Sequence, residues 1–216
     1  LLLDIELRDA RITGSLTRIW GDLLLDFQIG TEAAKRLGPP WLELLAWHAT
    51  EPEAGKAVLV HGYDKNKSPR VGMTGLKEPV DARERLEELV ALYRRGCLEP
   101  LPLFESSSWE FAKVSKLAAS ALDDGLPSTD EAVEAIQKGL KAALNKWDVP
   151  GDGRGDVDDP HVARVFEGRP PLEDPAGSPV RLSLEFARAA LTMWGPVSAA
   201  RVTKGPTSKW FLKDDR

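Results

Sequence analysis

Only one cysteine, Cys97, occurs in 216 residues. This excludes an internal disulfide and fits a reducing, cytoplasmic setting, although a chance thiol in a secreted chain would look the same. Cys97 therefore reads as structural or incidental. Positive charge is not in excess either: 29 Lys and Arg stand against 34 Asp and Glu, a formal net charge of -5. The chain has no general basic field, so any contact with nucleic acid must come from local patches. No apolar run approaches the roughly 20 residues that a membrane-spanning helix needs, so no membrane partner is expected. His48, His61 and His161 are scattered without metal-ligand spacing and read as packing or surface residues. There is neither a Walker A sequence nor a Gly-x-Gly-x-x-Gly fingerprint. No nucleotide site is expected in this chain. The opening LLLDIELRD has no initiator Met and no basic n-region, so the chain reads as a piece of something longer.

What is present is ample for a core: 42% of residues are apolar and seven are Trp. Residues 4–20 are rich in β-branched and alternating residues, with Gly14 as an expected kink; the turn Trp20-Gly21-Asp22 then leads into a strand from Leu23 to Ile29, giving a hairpin or meander. Pro39 and Pro40 are suited to a first helical turn, with Trp41, Leu44, Leu45 and His48 following at helical spacing. Strand-like runs at 57–63 and 70–76 flank the polar DKNKSP and predict a second hairpin with a basic tip. Beyond residue 80 the pattern turns helical. Asp81 is the expected N-cap and Gly96 the stop of a helix with Leu86, Leu89, Val90 and Tyr93 on one face. Two helices with Ser or Thr caps follow, the second striped by Val133, Ile136, Leu140 and Leu144. Helices return at HVARVFEG and SLEFARAALTMWGPV, after a loop, GDGRGDVDDP.

The chemistry-bearing spacing is Asp26-Phe27-Gln28. Two residues apart on a strand, Asp26 and Gln28 leave the same face. With a lysine in place of Gln28, the pair would be half of a metal-dependent phosphodiesterase. Hydrolysis of that kind needs clustered carboxylates for Mg²⁺ and a cation beside the attacked phosphate. An amide supplies no such charge.

ALYRRGCLEPLPLFESSSWEFAK, residues 91–113, resembles the signature of the RecC C-terminal domain family, the gamma chains of the exodeoxyribonuclease V helicase-nuclease RecBCD. NKWDVPGDGRGDVDDPHVARVFEGRPPLEDP and FARAALTMWGPV resemble further family segments in the same order, so the likeness covers nearly the whole chain. The resemblance implies a mixed α/β (α+β), restriction-endonuclease-like PD-(D/E)XK fold extended by a helical C-terminal half. Residues 1–216 would form one domain, sheet-rich to residue 80 and mainly helical from 81. Active relatives carry motifs of the form Gly-x-Ile-Asp-Arg, Asp-x-Lys and Gln-x-x-x-Tyr. Here the matching stretches are Gly14-Ser15-Leu16-Thr17-Arg18, Asp26-Phe27-Gln28 and Trp41-Leu42-Glu43-Leu44-Leu45. Thr17, Asp26 and Gln28 thus mark degenerate nuclease positions, with no catalytic residue, no metal and no cofactor expected. Losing one charge-stabilising donor costs on the order of 100-fold or more in rate. Relocated groups remain a rescue: Lys35 or Arg36 for the lysine, and Asp22, Glu32 or Glu43 for the acid.

The family's place is in a DNA-end-processing machine, alongside RecB-like and RecD-like helicase subunits, double-stranded DNA ends and single-stranded DNA. Three readings follow: a non-catalytic guide and brace with exposed apolar patches where partners sit, an active nuclease with relocated residues, and a purely protein-binding scaffold. Lys65, Lys67 and Arg70 on the second hairpin are candidate phosphate contacts, with an ordinary solvated turn as the other reading. Lys204, Lys209 and Trp210, with Lys213, mix charge with a ring able to stack on a base, or belong to a frayed end. Asp152–Asp159 has acids at three calcium-loop positions, but Ala163 and Val157 stand where Glu and Gly are required, so it reads as a solvated loop.

Overall fold

In this computed structural model the described residues are 1–30, 34–51, 53–65, 68–127, 129–149, 154–167, 171–174, 176 and 181–204, with backbone alone at 63–65, 68–70 and 203–204. They form a mixed α/β protein that divides into two compact units, residues 1–87 with 200–216 and residues 88–199.

The first unit opens on β1 (Leu2–Glu6) and β2 (Arg11–Ser15), an antiparallel pair that forms its own two-stranded sheet. Gly14 does not kink this ladder; it is paired with Leu3 inside it. The five-stranded sheet has the order β3 (Ile19–Trp20), β4 (Leu23–Ile29), β5 (Lys56–Lys65), β6 (Ser68–Leu76) and β7 (Arg201–Lys204). All neighbours are antiparallel except β4 and β5, which are parallel and joined through α1 (Ala34–Thr50). The turn before β4 is the expected one: Gly21 has φ +60°, a backbone conformation open to glycine at no steric cost. Strand β7 was not expected; it is four residues long, too short for its β-branched Val202 and Thr203 to stand out in the sequence.

Helix α1 corrects the sequence expectation. It starts at Ala34, so Pro39 and Pro40 lie inside it. An interior proline removes a hydrogen bond to the carbonyl four residues back. Pro40 thereby frees the Arg36 carbonyl, which instead accepts from Gln28 Nε2 at 3.2 Å. Tertiary structure has reused what the helix lost. Leu37, Trp41, Leu44 and Leu45 face the core as their spacing predicts, against Leu24, Ala57, Leu59 and Leu76 of the sheet, each 0% exposed.

From the first unit into the second runs α2 (Ala82–Leu98). It continues through Gly96 and stops two residues before Pro100, which cannot extend a helix. Asp81 precedes it with φ +55°, and its carbonyl accepts from Arg85 N at 3.0 Å. Tyr93, expected on the packed face, is 73% exposed. The second unit holds α3 (Glu105–Ser115), α4 (Asp130–Trp147), α5 (Pro160–Phe166) and α6 (Leu184–Ala200). Helices α3 and α4 approach closely at Gly139, where a Cβ would come within 2.9 Å of the Phe111 ring. Edge-on ring pairs Phe104–Trp147, Phe111–Phe186 and Trp109–Trp194 fill the core around Leu122 and Ile136. Thr129 caps α4 as expected, accepting from Ala132 N at 3.4 Å.

The acidic loop is not merely solvated. The residue at the N-cap of α3 is Phe104, which has no capping side chain, and the serines fall inside the first turn. Asp156 supplies the cap from 50 residues away, accepting from Ser106 N at 3.3 Å, Ser107 N at 2.7 Å and Ser107 Oγ at 2.6 Å. Asp158 accepts from Gly155 N at 2.7 Å, and Asp159 caps α5 through His161 N at 2.8 Å. These carboxylates satisfy orphan helix donors.

Candidate functional site

The face of β4 that meets α1 carries Leu24, Asp26 and Gln28, a consequence of strand alternation, and α1 contributes Glu43 from above. Asp26 is 4% exposed. A buried carboxylate requires a charge partner and hydrogen bonds, and both come from this chain. Arg18, just before β3, donates through one terminal nitrogen to Asp26 Oδ1 and through the other to Glu43 Oε1. Gln28 Nε2 donates to the second Asp26 oxygen, Oδ2, and to the Arg36 carbonyl. Around Arg18 the side chains are 38% exposed for the arginine itself, 6% for Asp26 and 29% for Glu43. The guanidinium therefore closes the mouth of a small polar pocket whose floor is Asp26. Alongside, the Arg36 guanidinium lies over Gly30, whose φ of +110° is the backbone conformation that favours glycine there.

This donor set does not fit a divalent ion. Mg²⁺ wants oxygen ligands in near-octahedral array. Here the two carboxylates that share a pocket are already bridged by a planar cation whose fork matches them. Thr17 is exposed and outside the network, and Gln28 presents its amide nitrogen to Asp26. Among the described residues no group of three or more His, Cys, Asp or Glu could hold a metal.

Asp26, Gln28 and Glu43 thus come together, and Thr17 does not join them. Of the other relocation candidates, Asp22 and Lys35 are exposed and Glu32 lies outside the described residues. Arg18, which joins the two carboxylates, is a residue that the sequence pattern does not single out. The antiparallel register sets Arg18 across from Leu25, next to the buried acid in sequence, and sequence spacing alone does not reveal the pairing with Asp26. On the second hairpin, Lys65 pairs with Ser68 and Arg70 with Tyr63 through the backbone; their side chains, and Lys67 altogether, lie outside the described residues. Lys204 pairs with Met73 through the backbone of β7, while Lys209, Trp210 and Lys213 also lie outside the described residues. Among the described residues no helix is long and apolar enough to cross a membrane.

Fold and site together define a mixed α/β sheet domain in which one arginine bridges a sheet carboxylate, Asp26, and a carboxylate of the crossover helix, Glu43. A model of the RecC C-terminal domain matches residues 1–116, more than half the chain, and the chain belongs to that family. It is similar to RecBCD enzyme subunit RecC of Mycolicibacterium smegmatis, 35% identical over 113 residues, which is 51% of this chain and 10% of that protein. To RecBCD enzyme subunit RecC of Mycobacterium tuberculosis it is 27% identical over 208 residues, 91% of this chain and 17% of that protein. The chain thus spans under a fifth of the length of the curated relatives it matches.

Proposed function

We propose that residues 1–216 form a non-catalytic, nuclease-like C-terminal domain of the gamma subunit of an ATP-dependent helicase-nuclease, built on a restriction-endonuclease-like scaffold. In this reading the domain guides or separates DNA strands at double-stranded ends, contacts single-stranded DNA, and braces RecB-like and RecD-like helicase subunits. It serves double-strand-break repair and recombination in the cytoplasm and needs no cofactor of its own. Helicase and nuclease chemistry belong to the partner subunits. The hairpin bearing Lys65, Lys67 and Arg70 is the candidate phosphate contact, acting by counterion release.

The supporting observation is the occupation of Asp26 by Arg18 and Gln28. Where a phosphodiesterase would place a metal and a lysine, this pocket holds a fixed guanidinium and an amide, and neither activates water. An active nuclease with Glu43 as relocated acid is the second reading, because Glu43 does reach the pocket. It requires Arg18 to leave both carboxylates. The test is cleavage of linear DNA by the full-length subunit with Mg²⁺ or Mn²⁺, with and without Asp26→Ala. No metal-dependent product is expected; product that vanishes with Asp26→Ala would establish the second reading instead.

A further inference from the structure

In the second unit, α4 and a short antiparallel bridge between Glu173 and Leu182 border a groove of about 370 Å³, a size typical of ligand pockets. Backbone bonds from Asp174 N to the Arg181 carbonyl at 3.0 Å and from Ser183 N to the Leu172 carbonyl at 2.7 Å hold the bridge. One wall is a stripe of α4, Gln137, Lys141 and Asn145, which lie four residues apart and so share one helix face. Leu140, 6% exposed, is its apolar base. The other wall is Arg181, ion-paired through Nη2 to Glu173 at 2.8 Å. Arg181 has φ +55°, a left-handed conformation that costs energy in any residue with a Cβ. The ion pair does not offset that cost: with the Arg181 side chain 70% exposed, it is of the surface kind that contributes little. Strained residues of this sort gather where a ligand is held.

We propose that this groove binds one carboxylate side chain of a partner subunit. The charges set the class. Arg181 engages Glu173 through Nη2, and Lys141 is exposed with no ion pair among the described residues. Two cations thus stand against one anion, a local excess of one positive charge in a chain of net charge -5. That excess matches a single carboxylate, whereas Glu173 opposes a run of phosphates. The incoming carboxylate accepts from the Arg181 fork and the Lys141 ammonium, and the Gln137 and Asn145 amides can donate beside them. No ring lines the groove for a base to stack on, which favours protein over single-stranded DNA as the occupant. The proposal rests on the bracing role above and specifies one contact that makes it.

The experiment measures binding of the full-length subunit to its two helicase partners. Arg181→Gly removes the guanidinium and suits a φ of +55°, so the variant melts at or above the wild-type temperature. It is expected to bind the partners about tenfold or more weakly, as loss of one member of a charge pair does. Lys141→Glu gives a similar loss, and Lys141→Arg keeps wild-type affinity. In Lys141→Gln the affinity falls less steeply with salt than in wild type. Lys138→Ala, on the same helix but paired with Glu134 outside the groove, binds as wild type does. Arg181→Gly and Lys141→Glu proteins that bind as tightly as wild type overturn the proposal. So does an equal loss from Lys138→Ala, or a loss confined to single-stranded DNA binding. If the wild-type subunit itself fails to bind helicase partners, the bracing role falls and the carboxylate site with it. Wild-type affinity in every variant removes the site alone.

Discussion

Removing the Arg18 charge while Asp26 remains tests the physics of the pocket most directly. Arg18→Met keeps most of the aliphatic stem and deletes the guanidinium, leaving a carboxylate with 6% side-chain exposure held only by the Gln28 amide. Orphaning a fully buried charge costs about 3–5 kcal/mol. Because the Arg18 side chain is 38% exposed, water enters the space it vacates, and the expected loss falls to about 2 kcal/mol. Asp26→Leu removes the buried charge instead, and Arg18→Met/Asp26→Leu replaces the pair by apolar groups of similar size, a change that is often near neutral. The double variant should therefore be more stable than Arg18→Met alone, with a coupling energy of about 1–2 kcal/mol in a double-mutant cycle. Urea unfolding followed by circular dichroism measures all four corners. An Arg18→Met cost below about 0.5 kcal/mol, or additivity within about 0.3 kcal/mol, would show that the guanidinium does not neutralise Asp26.

Two further outcomes are expected. Asp156→Ala withdraws the acceptor from two backbone N–H groups and one hydroxyl at the start of α3, at a cost of about 1–2 kcal/mol, whereas Asp156→Asn loses less; equal stability of Asp156→Ala and wild type in thermal melts contradicts the capping assignment. On β1 and β2, hydrogen bonding to Arg11, reinforced by its charge, holds the Asp4 carboxyl below its ordinary value of 3.8. Because the folded value is depressed, the pair's contribution to stability is complete above about pH 4 and is lost as pH falls through the folded value. In Arg11→Ala, carbon-detected NMR titration should return Asp4 to the ordinary carboxylate range, and an unchanged midpoint would refute the pairing.

The helices and strands were legible where local chemistry and tertiary demand agree. Leu23–Ile29 is a strand at the expected residues, with Gly21 in the turn before it, and α4 begins on its Thr129 cap. Departures occur where a distant partner changes what a residue can do. Pro40 sits inside a helix because Gln28 takes the carbonyl it frees. The first turn of α3 is capped by Asp156 from 50 residues away, with Ser107 Oγ donating to the same carboxylate and Ser108 Oγ accepting from Phe104 N. Strand β7 forms because β6 offers it an edge, from Met73 to Leu76.

The sequence by itself determined the family and the mixed α/β class, and it set a hydroxyl at Thr17 and an amide at Gln28, because residue identity fixes which charges exist. Only the tertiary structure decided what became of the acid that remained. Coulomb interactions act through space, and the fold brings Arg18 and Glu43 to Asp26 across gaps of 8 and 17 residues. The same geometry fills the space over Gly72 with the His61 ring and, among the described residues, leaves that over Gly62 open, because which face of a strand is covered depends on the elements packed against it.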